Sequence, residues 1–265
     1  MSEAPIIDTH CHVFTRAMPL TDTAWNRPEY DYPVEAYLAD LDAHGVAFGV
    51  VTAASLYGEY NDYTLEVLAR HPRLRATVML DADTPPRELA WLHGQGVRGI
   101  RFQVPPQSPL PDLEGYRFRR FMRRLADAGL HIELNLSGPQ LAQILPALEP
   151  HGVSIVIDHF ALLRSDGGMR GEGFQAALRS AALGRTWIKL SAGFRLPDAE
   201  FEDYARALLA AVGPERLLWG SDAPYVGCEA DMDYARGLAL FHRIVPDAKT
   251  RRAISDTGLR LYFFE

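Results

Sequence analysis

A (β/α)8 barrel is the fold that this sequence predicts, as one domain over residues 1–265. Three observations lead there: eight short apolar runs alternate with stretches of helical periodicity; no Gly-rich phosphate loop follows an early strand, as an open doubly wound sheet would require; and no linker, internal repeat or low-complexity stretch divides the chain. The composition, 48% hydrophobic and 23% charged, is enough to fill a core of that size.

Taken in order, the first strand lies within Ile6 to Val13 and ends in His10-Cys11-His12. If its side chains alternate, Asp8, His10 and His12 share one face and Cys11 takes the other. Phe14 to Tyr32 has no periodicity and reads as a long loop of the kind that often carries function. Pro33 to His44 is helical by its Val34, Tyr37, Leu38 and Leu41, and Gly45 ends it. Val46 to Ala54 is the second strand. A polar aromatic loop containing Ser55 and Tyr57 follows, then a helix that Asn61 or Asp62 could cap and that runs to Arg70. The third strand spans Arg75 to Leu80, the fourth Gly99 to Val104, the fifth His131 to Leu136 and the sixth Ser154 to Phe160. Thr186 to Ala192 and Leu217 to Ser221 complete the eight. Helices fill the intervals at 86–93, 118–128, 139–148, 174–183 and 199–212, and the last ones lie between Asp231 and Arg260.

A formal net charge of −7 argues against a nucleic-acid surface, which needs clustered Lys and Arg. Cys11 and Cys228 are the only cysteines and lie far apart, so neither a disulfide framework nor a zinc knuckle is expected and a reducing cytoplasm is the simplest home. Met1 to Pro5 leaves no room for a secretory leader. No apolar run approaches the ~18 residues of a membrane span. A homo-oligomer is compatible with all of this.

Barrel enzymes work at the C-terminal ends of their strands, so polar residues there are the ones to collect. The first strand supplies His10 and His12, the fourth Arg101 and Gln103, and the fifth Asn135. The sixth supplies Asp158 and His159, the seventh Lys189 and Ser191 with Arg195 beyond, and the eighth Asp222. A carboxylate such as Asp222 is a competent general base for water. His10, His12 and His159 can polarise a carbonyl and stabilise an oxyanion, directly or through a cation. Arg101 and Arg195 suit a substrate carboxylate through the guanidinium fork, although a structural ion pair and a solvated loop position are their alternative readings. Ser55 and Tyr57 could add hydrogen bonds from the second loop.

The motifs, in their order and spacing, resemble the amidohydrolase superfamily across nearly the whole chain: His-x-His on the first strand, Asp158-His159 on the sixth and Trp219-Gly220-Ser221-Asp222-x-Pro224 on the eighth. Asp8-Thr9-His10-Cys11-His12-Val13-Phe14, Arg98-Gly99-Ile100-Arg101-Phe102 and Ile157-Asp158-His159 are similar to the branch that contains 2-pyrone-4,6-dicarboxylate lactonase and sugar lactonases, as is the closing Leu259 to Tyr262. The resemblance implies a lactonase in which Asp222 activates water, with a small carboxylated lactone as substrate. It does not imply a binuclear metal centre, because the Lys or Glu on the fourth strand and the His on the fifth are replaced by Arg101-Phe102-Gln103 and Asn135. One Zn²⁺ on His10, His12 and Asp222, with water in the open position, and a metal-free mechanism both remain open. Gln107 stands where the pyrone dicarboxylate lactonase has a second Arg, and Asn135 where it has Tyr. One carboxylate, or a sugar-derived lactone, therefore fits better than a dicarboxylate. A metal-dependent decarboxylase of the same superfamily and a non-catalytic barrel binding protein are the alternatives.

Overall fold

Each apolar run becomes one strand of a single parallel sheet whose eight strands follow chain order. The computed structural model describes residues 7–162, 167–196 and 198–264. The strands are β1 Ile7–Cys11, β2 Phe48–Thr52, β3 Leu74–Val78, β4 Val97–Gln103, β5 His131–Asn135, β6 Ile155–Ile157, β7 Thr186–Leu190 and β8 Leu217–Trp219. The barrel closes past β8, where Asp222 N–H donates to the His10 carbonyl and His12 N–H donates to the Ala223 carbonyl, each at 2.8 Å. Of the expected positions, Met1 to Pro5 and Ile6 lie outside the described residues.

The helices form the outer layer by turning one apolar stripe inward. Val34–Ala43 buries Val34, Tyr37 and Leu41 and stops at Gly45, whose φ of 71° suits glycine alone at little cost. Tyr116–Asp127 buries Phe118, Phe121, Met122 and Leu125. On its solvent face Arg117 pairs with Asp81 at 2.7 Å and Arg120 pairs with Asp83. Asn61 does not cap the helix that follows it; its side chain donates to the Met79 carbonyl instead. Among the described residues, no helix is long and apolar enough to cross a membrane.

Inside the barrel the side chains are layered, as the fold requires. The floor is apolar: Ile7, Val50, Val156 and Leu218 pack on Leu261 and Tyr262 of the final helix Ala248–Tyr262. Above it lies a buried ionic layer of Arg101, Glu133, Asp158 and Lys189. The polar residues of the mouth form the top.

Two local departures from the expected strands shape that mouth. A bulge between Asp8 and Cys11 places one extra residue in β1 opposite β2. The inserted residue shifts the side-chain alternation, so Asp8 does not share a face with the histidines. Its carboxylate instead accepts from Ser221 N (2.9 Å), Ser221 Oγ (2.7 Å) and Tyr234 Oη (3.0 Å) on the helix-facing side. Cys11 takes the outer core, as alternation near the strand's end predicts. The second departure concerns β6, which ends at Ile157 and does not reach Phe160. His159, Phe160 and Ala161 have φ of 52°, 56° and 61° and form one left-handed turn of non-glycine residues.

Candidate active site

The strand ends open into a cavity of about 280 Å³ lined by His12, His159, Asp222, Arg101, Arg195 and Asn135, and also by Trp25, Ser55 and Gln103. His10 lies directly beneath, wholly buried. Seven of the nine expected site residues therefore border one cavity, and His10 supports it from below.

Asp222 sits at the centre. Its Oδ1 is 3.3 Å from His12 Nε2 and 3.5 Å from His10 Nε2, and its Oδ2 is 3.4 Å from Arg195 Nε. The φ of 62° at Asp222 turns this carboxylate inward just after β8. Burial pushes its acidity down, but the surrounding imidazoles, His159 first and then His12 and His10, outweigh this and hold the carboxyl below the ordinary carboxylate range. The carboxylate is ionised when the cavity is ready to react. Gly220 makes the close approach of β8 to β1 possible, because a Cβ there would stand 2.4 Å from His10 Cβ.

The histidines are oriented from behind. His12 Nδ1 is 2.8 Å from the Thr52 carbonyl, which can only accept, so Nδ1 carries a proton and Nε2 faces Asp222. His10 Nδ1 is 3.1 Å from Lys189 Nζ and 3.3 Å from Asp158 Oδ1. Burial, and then the charge of Lys189, lower the His10 pKa to about 3, so this ring is neutral. His159 Nδ1 lies 2.9 Å from Ser191 Oγ, and burial lowers its pKa as well.

The two arginines are less free than the sequence reading supposed. Arg101 Nε and Nη2 donate to Asp158 Oδ2 at 3.2 and 3.0 Å, and Nη1 donates to the Ala53 carbonyl at 2.8 Å. It borders the cavity within a structural ion pair. Of the five guanidinium donors, only the terminal edge remains for a ligand. Arg195 packs on Phe194 and donates from Nη2 to the Val226 carbonyl at 3.0 Å, so it is a fixed neighbour of Asp222 and no solvated loop residue.

Tyr57 is the expected site residue that the structure places elsewhere. It packs on Phe14 in a small cluster with Met18, Leu56 and Val226 and does not border the cavity, because the 14–32 loop needs an apolar anchor of its own. Ser55 does border it, with its Oγ accepting from Trp25 Nε1 at 3.3 Å. Sequence reasoning missed Glu133. Lys189 Nζ is 2.6 Å from Glu133 Oε2, and the two, both wholly buried, underpin His10 and Asp158. The signal was present in the alternation: Glu133 precedes Asn135 by two on β5 and so shares its inward face.

A cation would fit beside Asp222. His10 Nε2 is buried without a hydrogen-bond partner among the described residues, and the ligand atoms of His10, His12 and Asp222 all lie within 4.8 Å of one another. Tetrahedral zinc with bonds of roughly 2.0–2.1 Å needs ligand atoms about 3.3–3.5 Å apart. The 3.3 and 3.5 Å separations from Asp222 match that edge. His10, Asp158 and His159 form a second such group.

The family profile described as Amidohydrolase matches residues 7–264. A 4-sulfomuconolactone hydrolase of Rhizobium radiobacter is 30% identical over 96% of this chain and 89% of its own. A 2-pyrone-4,6-dicarboxylate hydrolase of Comamonas testosteroni is 25% identical over 99% of this chain and 91% of its own. Among solved structures, that of a candidate 2-pyrone-4,6-dicarboxylic acid hydrolase from Pseudomonas putida superposes with a TM-score of 0.88 at 36% identity, covering 98% of this chain and 97% of that one.

Proposed function

Since the chain belongs to the amidohydrolase family, we propose that its cavity opens a small carboxylated lactone by attack of water, with Asp222 as the general base. One observation carries this reading: a buried carboxylate held ionised at the cavity floor, with two imidazole Nε2 atoms on one oxygen and an arginine on the other. The named relatives, lactone hydrolases, support it.

Asp222 takes a proton from water as the water oxygen bonds to the lactone carbonyl carbon. The carbonyl oxygen becomes an oxyanion, which His159 and His12, both on the cavity wall, are placed to stabilise. When the tetrahedral centre collapses, the ring C–O bond breaks and the alkoxide takes the proton back from Asp222. The products are one hydroxyl and one carboxylic acid, whose proton passes to solvent at neutral pH, so atoms and protons balance. The free edge of Arg101 and the fixed Arg195 hold the substrate carboxylate. Ser55 and Asn135 bound the rest of the ring.

His10, His12 and Asp222 would hold a single divalent cation, Zn²⁺ by its fit to nitrogen and oxygen ligands. When bound, such an ion supplies polarisation of the carbonyl and a more acidic water. The decarboxylase alternative loses weight because Asn135 occupies the fifth-strand position where a further His is expected. A non-catalytic binding protein would have no need of an intact Asp222 among three histidines. Two free cysteines, one of them buried, support a cytoplasmic setting, and the formal net charge of −7 supports a protein that binds neither nucleic acid nor membrane.

The test is elemental analysis of purified protein beside hydrolysis of carboxylated lactones with and without chelator. About one zinc per chain and chelator-sensitive turnover establish the cation-assisted form. Turnover that survives chelation of a metal-free preparation establishes Asp222 acting as the base on its own. A preparation inert toward every carboxylated lactone refutes the proposal.

A further inference from the structure

Gln103 and Asn135 are hydrogen-register partners at the ends of β4 and β5, both half-buried and both on the cavity wall. Gln103 Oε1 is shielded from solvent in its present rotamer and has no hydrogen-bond partner among the described residues, so it meets a ligand by turning toward the cavity that Gln103 lines. An acceptor left so in a folded protein is costly, which points to a donor arriving with a ligand. One residue pair below, in the same register, Arg101 faces Glu133. The row beneath is thus ionic and the row at the cavity is neutral.

Building on the lactonase reading above, we propose that Gln103 and Asn135 form a neutral subsite that reads a hydroxyl group on the lactone. Neighbouring strands lie about 4.8 Å apart, so two amides on adjacent strands can grip one small group between them. A hydroxyl satisfies both: its O–H donates to Gln103 Oε1, and its oxygen accepts from the Asn135 amide. A carboxylate cannot donate, and at this position it would need a cation of its own. Arg101, two residues before Gln103 on the same strand face, serves Asp158 and the Ala53 carbonyl, and its one remaining edge is taken by the first carboxylate. Arg195 is engaged with Asp222 and the Val226 carbonyl. The substrate class is therefore a lactone with a single anionic group and a hydroxyl on the opposite edge, as in lactones of sugar acids.

The experiment compares three probes: galactarolactone (one carboxylate with hydroxyls), muconolactone (one carboxylate, no hydroxyl) and pyrone dicarboxylate (two carboxylates). Each is assayed with wild type, Gln103→Leu and Asn135→Leu, which remove hydrogen bonding; Leu repeats the branching of Asn and is one atom shorter than Gln. Wild type is expected to favour galactarolactone over pyrone dicarboxylate by about tenfold or more in kcat/KM. Each variant is expected to lose about tenfold to a hundredfold on galactarolactone, mainly through KM, and Gln103→Leu to lose less than about threefold on muconolactone. Equal losses on both, no loss on either, or a wild-type preference for the dicarboxylate overturns the subsite while leaving the hydrolase reading intact. If no lactone is turned over, the hydrolase reading has failed, and calorimetric binding of galactarolactone still decides the subsite. Weakening by about tenfold in Gln103→Leu supports it, and unchanged or undetectable binding overturns it.

Discussion

Lys189 Nζ lies 2.6 Å from Glu133 Oε2, and neither side chain has any exposure to solvent. The same ammonium is 3.3 Å from Asp158 Oδ1 and 3.1 Å from His10 Nδ1. One lysine therefore compensates two buried carboxylates and braces the imidazole beneath the cavity. Lys189→Met should destabilise the fold by about 3–5 kcal/mol, because it strands buried charge. Adding Glu133→Leu to that variant should restore part of the loss, since Arg101 still serves Asp158. Urea denaturation of the two variants checks this; a double variant no more stable than the single one contradicts it.

Acid should weaken the protein well above the range where carboxylates titrate. His10 has its pKa lowered from 6.5 to about 3 by burial and by Lys189. Below pH 6.5 the unfolded chain binds a proton that the folded chain refuses. The stability from this group is complete above that pH and is lost as pH falls toward about 3. The slope is about 1.4 kcal/mol per pH unit for one group, with His159 adding in the same direction. Asp8 opposes it over the window above its ordinary value of 3.8, since burial raises its folded-state pKa. Denaturation of chelator-treated protein between pH 7 and 4 should show the decline, and His10→Asn should flatten it.

Asp222→Asn should lower kcat by about a thousandfold or more while changing KM little, because the amide keeps the shape of the carboxylate and loses the base. Steady-state kinetics on any lactone that wild type hydrolyses gives the answer. Retained turnover would move the base elsewhere.

Gly220→Ala should affect activity more than its size suggests. The new methyl would stand 2.4 Å from His10 Cβ and 2.9 Å from His10 N, so β1 and β8 must separate at the point where the histidine is set. Overpacking of this kind costs about 1–3 kcal/mol. A fall in kcat of about tenfold or more is expected beside a modest fall in Tm.

Most of the frame was legible in the sequence because apolar periodicity reports directly on burial. Seven of the eight strands and the helix from Val34 to Ala43 appear within two residues of where alternation and capping put them, and the sixth strand stops three residues short. What was not legible depended on local insertions. Alternation alone cannot show the β1 bulge, which moves Asp8 to the helix side. Nor does a polar aromatic pair such as Ser55 and Tyr57 reveal which member turns toward Phe14 and which toward the cavity. Glu133 was readable in principle, two residues before Asn135, but a carboxylate so deep in a barrel shows its meaning only with Lys189 opposite it. The left-handed turn at His159 to Ala161 contradicts the propensity of all three residues. Such a turn persists only when its surroundings hold it, as Phe160 against Phe201 does here.

The bond from Ser221 N to Asp8 Oδ1 joins residues 213 positions apart. It fastens the segment bearing Asp222 to the strand bearing His10 and His12, so neither half of the chain can make the site alone. During refolding the helices and neighbouring strand pairs can form from nearby sequence, but this seam must wait for a loop closure that spans most of the chain. Regained turnover should therefore trail regained circular dichroism, which would make enzymatic activity a timer for the last step of assembly.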